Sequence, residues 1–237
     1  MSKIVFDIET VGVDFESLGQ DEQEYILKYA EDEKKTKEEK KKVSLWPFTG
    51  QIAAICLLNP ETEKGKVYFQ APAQSCAERS SGSEQAPGEK IKPFIEDGIE
   101  YEAMSEKEIL EKFWQDIKNY QQFITFNGRK FDCPYLMLRS AILRIKPTRN
   151  LMPYRYSDEQ HIDLIDQLTF YDAFRRFSLD FYAKHLGLKN SKTEGMSGEK
   201  IQQYFKDGKY LEIARYCAVD VKVTAELFKI WQKYIKI

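Results

Sequence analysis

Apolar and polar positions alternate with a period of two over Lys3–Glu9. Ile4, Phe6 and Ile8 fall on one side, and Val5, Asp7 and Glu9 on the other. This predicts a strand. Gly50–Leu58 carries a continuous apolar run, Ile52 to Leu58, and predicts a buried strand. Asn59–Gly65 is turn-rich, and Lys66–Gln70 returns as the hairpin partner. Ser105-Glu106-Lys107-Glu108 is a capping box, and Ile109, Leu110, Phe113, Trp114 and Ile117 follow at helical spacing. Phe123–Phe126 reads as a short strand that ends in a sharp Asn127-Gly128 turn. Tyr135, Leu136, Leu138, Ile142 and Leu143 then mark a helix that stops near Pro147. Leu151–Asp158 is irregular, and His161–Leu168 is apolar with acids interspersed. Ser178–Leu186 predicts a helix closed by Gly187, and Gly195–Gly198 a loop. Gly198–Phe205 and the long amphipathic Tyr210–Ile235 are helices. The order β–β–β–α–β–α–α–α predicts an α/β fold, a mixed sheet with flanking helices, as one domain over residues 1–237.

Two stretches stand outside this pattern. Asp14–Pro47 is charged. Tyr25, Ile26, Leu27 and Tyr29 could pin a helix down, but Glu31–Lys42 has almost nothing apolar, so the insertion is expected to project or fray. Ala71–Pro93 is rich in Pro, Gly, Ser and Gln and is expected to be a flexible loop.

The chain has 237 residues, of which 42% are hydrophobic, enough for one large core. Its formal charge of −2 gives no global basic field. Arg129–Arg149 is locally basic, with Arg129, Lys130, Arg139, Arg144, Lys146 and Arg149 against Asp132 alone. It suits either a phosphodiester substrate or a solvated helix face. Cys56, Cys76, Cys133 and Cys217 are widely spaced, which argues against a zinc site or a disulfide framework. No apolar run reaches 18 residues, and no basic leader precedes the first strand. The expectation is a soluble cytoplasmic protein without a membrane segment.

Candidate chemistry lies in four acids and a tyrosine. Asp7 and Glu9 share a strand face roughly 7 Å apart. Two carboxylates there repel each other unless a cation neutralises them or the face meets water. Asp132 stands where a turn enters a helix. A structural N-cap and a functional carboxylate both fit that place. Tyr216 and Asp220 are one helical turn apart on one face, as a polar flank would also be.

Taken in order, these segments resemble the DEDD superfamily of 3′–5′ exonucleases, also called DnaQ-like, with a ribonuclease H-like fold. Phe6-Asp7-Ile8-Glu9-Thr10 resembles the first exonuclease motif. Asn127-Gly128-Arg129-Lys130-Phe131-Asp132, with Pro134-Tyr135-Leu136 and Arg139, resembles the second. Tyr216-x-x-x-Asp220 resembles the third in its tyrosine form, DEDDy, because Arg215 stands where the histidine form has His. The second motif is most similar to the proofreading domain of B-family DNA polymerases. The resemblance spans about Lys3 to Phe228. The insertion at 14–47 and the loop at 71–93 depart from it.

The resemblance implies a metal-dependent exonuclease using two divalent cations, Mg²⁺ or Mn²⁺. Asp7 would bridge both, Glu9 and Asp220 complete the first, and Asp132 holds the second. Tyr216 would orient the attacking water. Thr10, Asn127 and Phe131 are the candidate substrate contacts, although Asn127 also suits a turn and Phe131 the core. Tyr154-Arg155-Tyr156 interleaves aromatic and basic groups as single-strand binders do. Asp163, His161 and His185 read as structural, and Met196 carries no defined role. The expected substrate is single-stranded DNA at its 3′ end, releasing nucleoside 5′-monophosphates. The alternatives are an exoribonuclease of the same superfamily, as in the ribonuclease D group, and a non-catalytic module that binds nucleic acid or protein. The sequence sets no oligomeric state.

Overall fold

The computed structural model describes residues 2–71, 91–188 and 198–236. Its strands are β1 (Lys3–Gly12), β2 (Gly50–Leu58), β3 (Gly65–Gln70), β4 (Phe94–Glu96), β5 (Ile99–Met104), β6 (Gln122–Thr125) and β7 (His161–Asp163). Its helices are α1 (Gln20–Leu27), α2 (Glu33–Lys41), α3 (Glu106–Ile117), α4 (Asp132–Ile142), α5 (Leu164–Leu168), α6 (Leu179–His185), α7 (Gly198–Lys206) and α8 (Tyr210–Tyr234).

The strands form one mixed sheet in the order β4-β5-β3-β2-β1-β6-β7. β1 runs antiparallel to β2 and parallel to β6, and β2 pairs with β3 as the expected hairpin. The alternation along β1 sorts its side chains into two cores. Ile4, Phe6 and Ile8 pack with Leu110, Phe113 and Trp114 of α3 and with Leu136 of α4. Val5 and Val11 pack with Ala214, Cys217, Ala218 and Val221 of α8. Asp7 and Glu9 share the Val5 face, so they point at α8. Small side chains on that face of α8 let the helix lie close: Cys217 Sγ is 3.5 Å from the Asp7 carbonyl oxygen.

Two irregularities shape the end of β1. The pairing with β2 slips between Glu9 and Thr10, where Glu9 opposes Ala54 and Thr10 opposes Ile52. Ala53 is the extra residue of this bulge, and the adjacent Ala53 and Ala54 both pack on the α8 side. On the other edge, the parallel ladder with β6 stops at Val5 opposite Ile124. The backbone N–H groups of β1 beyond it therefore need other acceptors.

The structure adds strands for which the sequence reading made no assignment. β4 and β5 pair with each other and place β5 parallel to β3. β7, three buried residues, pairs parallel with β6. The insertion does form helices. Neither α1 nor α2 buries a residue, as its charge predicted. Its end does not fray, however. A 3-10 turn at Lys42–Leu45 buries Val43, and Thr10 Oγ1 donates to the Ser44 carbonyl at 2.8 Å. The expected loop at 71–93 lies outside the described residues apart from its ends, and so does the Gly195–Gly198 loop up to residue 197.

The basic stretch divides: Lys130, Arg144 and Lys146 are exposed, whereas Arg129, Arg139 and Arg149 are tied to the protein itself. Arg139 grips Glu106 at 2.7 and 2.8 Å and donates to the Pro47 carbonyl at 3.0 Å. Arg129 donates to the carbonyls of Pro153 and Tyr154, and Arg149 to those of Tyr120 and Gln121. Long arginines tie loops across the α3–α4 layer. Among the described residues, no helix is long and apolar enough to cross a membrane.

Candidate active site

Three elements bring the acids together. β1 supplies Asp7 and Glu9, the first turn of α4 supplies Asp132, and α8 supplies Asp220 with Tyr216 one turn before it. Glu9 and Asp132 are buried, while Asp7, Tyr216 and Asp220 are half-buried. Asp7, Glu9 and Cys217 each offer a ligand atom within 4.8 Å of the other two.

Asp132 is not the N-cap of α4. Phe131 holds that position without a side-chain cap, and Asp132 is the first helical residue. Its carboxylate reaches back to β1 instead. Oδ1 accepts the backbone N–H of Ile8 at 3.1 Å, one of the donors left open where β6 ends. The Asp132 carboxyl thereby comes close enough to that of Asp7 to act on its ionisation.

Crowding sets the electrostatics. Burial first, and then the negative charge of Asp132, Glu9 and Asp220, push the Asp7 carboxyl well above its ordinary range. Burial and then Asp220 do the same to Glu9. Asp132 is pushed up to about 7, mainly by burial, against the lowering effect of the backbone donors. Burial and the charges of Asp220 and Glu9 raise the Tyr216 phenol, which also hydrogen-bonds Asp220, so it stays protonated at neutral pH.

The donors are carboxylate oxygens, with one thiol at the edge. Oxygen sets of this kind suit hard divalent cations such as Mg²⁺ and Mn²⁺. Without a cation, acids this close and this enclosed keep protons they would otherwise lose. The residues present therefore fit a divalent-cation site.

The turn before Asp132 is held from β7. Asp163 Oδ1 accepts the N–H groups of Asn127 at 2.9 Å and Ile165 at 3.1 Å, and Oδ2 accepts that of Arg129 at 2.9 Å. Asn127 sits in the left-handed region at φ 65°, and its side-chain oxygen accepts from Arg176 Nη1 at 3.1 Å. Gly128 closes against Thr125, whose Oγ1 would lie 2.4 Å from a Cβ there.

The remaining candidates divide. Asn127 is in the turn beside Asp132, in the role of a turn residue. Phe131 leans on Tyr135, ring centroids 5.6 Å apart, and is half-buried. Thr10 follows Glu9, but its hydroxyl is committed to Ser44. His161 is buried, stacks on Phe123 and shares a 2.8 Å hydrogen bond with Thr125 through Nε2, while its Nδ1 has no hydrogen-bond partner among the described residues. His185 bonds the Phe181 carbonyl one turn back. Two participants were missed. Cys217 is three residues before Asp220, an i,i+3 spacing that places it on the same side of α8. Arg176, which holds Asn127 from 49 positions away, gave no local signal.

The sequence model of one protein family, described as a predicted 3′–5′ exonuclease related to the exonuclease domain of PolB, matches residues 90–235. That span includes Asp132, Tyr216 and Asp220, and Asp7 and Glu9 precede it. A DNA polymerase of Pyrococcus glycovorans is 29% identical over 141 residues, covering 52% of this chain and 18% of that protein. The structure of the family B DNA polymerase from the hyperthermophilic archaeon Pyrobaculum calidifontis superposes with a TM-score of 0.57 at 16% identity. It covers 97% of this chain and 24% of that one. At that identity the likeness is one of fold. The chain thus spans about a fifth to a quarter of the length of these relatives.

Proposed function

The chain belongs to the family of predicted 3′–5′ exonucleases related to the exonuclease domain of PolB, and on that premise we propose that it shortens single-stranded DNA from the 3′ end, releasing nucleoside 5′-monophosphates. The observation that carries this reading is the convergence of Asp7, Glu9, Asp132 and Asp220 on one half-open site with Tyr216 beside Asp220. The arrangement is the tyrosine form of the four-acid site.

In this reading the four carboxylates hold two divalent cations, Mg²⁺ or Mn²⁺. Asp7, Glu9, Asp132 and Asp220 would be the residues that hold them. When bound, the cations supply activation of a water and neutralise charge at phosphorus and at the departing 3′-oxygen. The protein's own groups do the rest. The Ile8 N–H holds the Asp132 carboxylate in place relative to β1. Tyr216 remains a phenol and offers its hydroxyl as a hydrogen-bonding group to the attacking water, while Asp220 orients that hydroxyl. Asn127 and Phe131, which flank the approach to Asp132, and Thr10 are the proposed contacts to the terminal nucleotide.

A time course on a DNA oligonucleotide labelled at its 5′ end, with Mn²⁺ and with chelator beside the matched RNA, tests this. The expected result is a cation-dependent ladder that shortens from the 3′ end on DNA. A ladder on RNA alone would keep the reaction and replace the substrate. Internal cleavage would contradict the reading.

A further inference from the structure

A set of aromatic rings stands in solvent beside the Asn127–Asp132 turn. Tyr154 is 73% exposed, Tyr156 59%, Phe170 57% and Phe174 67%. Exposed rings gathered in one region are costly in water and mark binding surfaces. They are also paired: Tyr154 packs edge-on to Tyr156 at 5.7 Å, and Phe170 edge-on to Phe174 at 6.0 Å.

The rings are presented by a braced loop. Phe170, Tyr171 and Asp172 have φ values of 50°, 56° and 73°, three successive non-glycine residues in the left-handed region. Such backbone persists only where its surroundings impose it. Here an ionic clasp imposes it. Arg155 grips Asp166 through two donors, at 2.8 and 2.7 Å, and reaches Asp172 at 2.9 Å. Arg176 bridges the same two acids. The clasp balances its own charge, and the exposed guanidinium of Arg175 lies outside it, over the Phe177 ring at 5.4 Å.

The same arginines connect the ring surface to the candidate active site. Arg176 donates to the Asn127 side chain, and Arg129, in the Asn127–Asp132 turn, donates to the Tyr154 carbonyl. Tyr182 of α6 extends the contact, edge-on to Phe126 at 6.0 Å and to Phe177 at 6.1 Å. Exposed rings, with the Arg175 guanidinium outside the clasp, match unpaired bases on a phosphate backbone. Base–aromatic stacking is tolerant of sequence, as a strand that is consumed nucleotide by nucleotide requires.

We propose that Tyr154, Tyr156, Phe170 and Phe174 form a stacking platform for the single-stranded nucleotides on the 5′ side of the terminal one. This rests on the exonuclease reading for the direction of the strand, while the platform's binding of a single strand is independent of turnover. The platform holds the strand while its 3′ end lies among the carboxylates, and sets the length of strand over which affinity accumulates.

The test uses the full chain with Phe170→Ala and Phe174→Ala together, and separately with Tyr154→Ala. These rings are solvent-exposed, so the circular dichroism spectrum and thermal midpoint should match the parent. Binding of a 5′-fluorescent oligothymidylate of roughly ten nucleotides is measured in chelator by anisotropy. Hydrolysis of the p-nitrophenyl ester of thymidine 5′-monophosphate, which fills only the terminal position, is measured with Mn²⁺. The double variant should bind the strand at least about fivefold more weakly and hydrolyse the ester at the parental rate. Unchanged strand binding in both variants overturns the platform and leaves the rings to a protein partner. An inert parent whose strand binding still drops in the variants upholds the platform and sinks the exonuclease reading. A parent that cleaves DNA while the variants bind normally does the reverse.

Discussion

Asp163 accepts the backbone N–H groups of Asn127 and Arg129, each at 2.9 Å, with its two oxygens. A side chain at the end of β7 thereby sets the turn that delivers Asp132 to the carboxylate cluster. Asp163 is almost fully buried, and burial raises its carboxyl against the lowering effect of these donors. Asp163→Asn turns one acceptor into a donor facing a backbone N–H. Stability should fall by about 1–3 kcal/mol, and the Mn²⁺ affinity should weaken because Asp132 is no longer held in place. Urea unfolding and Mn²⁺ titration of the folded variant measure the two effects. Unchanged cation affinity would make Asp163 a stability residue alone.

Gly128→Ala tests the same turn sterically. The new methyl would meet Oγ1, Cβ and Cγ2 of Thr125 at 2.4–2.8 Å. Both partners are buried, so the turn must open, at a cost of about 1–3 kcal/mol. The double variant Gly128→Ala/Thr125→Ala should recover part of that loss in a urea titration. No recovery would place the strain elsewhere.

Tyr216→Phe removes the hydroxyl without removing a carboxylate. Turnover should fall on the order of 10²-fold, with the Mn²⁺ affinity within about twofold of the parent. Single-turnover kinetics beside cation titration separates the two. A large loss of cation affinity would instead make Tyr216 part of the cation-binding set.

The cluster predicts an unusual pH response. Asp7 and Glu9 lie well above their ordinary values and Asp132 is at about 7. Between about pH 4, where unfolded carboxyls lose their protons, and pH 7, the folded chain binds more protons than the unfolded one. Stability of the cation-free protein therefore falls as pH rises through that window. Cations compete with those protons, so their affinity rises over the same range. The thermal midpoint in chelator should drop from pH 5 to pH 8, and Mn²⁺ should restore it most at pH 8. A flat profile in chelator would mean that the acids are not mutually enclosed.

The parts of the fold read from sequence are those with local, repeated patterns. Alternation gave β1 and put Asp7 and Glu9 on one face, and helical spacing gave α8 with Tyr216 and Asp220 together. The Ser105 capping box forms as its residues imply, with both reciprocal hydrogen bonds. What stayed hidden depends on distant partners. Asp132 suited a cap and a functional carboxylate equally, because the backbone donor it accepts from, Ile8, lies 124 positions away. Arg139 looked exposed because Glu106 lies 33 positions off. β7 is three residues long and too short to show a period. β5 does alternate, with Ile99 and Tyr101 inward, and Asp97-Gly98 before it is a two-residue hairpin turn with both residues at positive φ, so this hairpin was legible and was passed over beside the 71–93 loop.

The central claim is that four acids from β1, α4 and α8 make one cation-dependent site that works from the 3′ end. The most direct measurement follows label release from a single-stranded DNA whose 3′-terminal nucleotide alone is labelled, with Mn²⁺, for the parent and for Asp7→Ala and Asp220→Ala. The parent should release labelled nucleoside 5′-monophosphate from the earliest time, and each variant should be inactive while still folded. Full activity in either variant, or label released in longer fragments, would contradict the account.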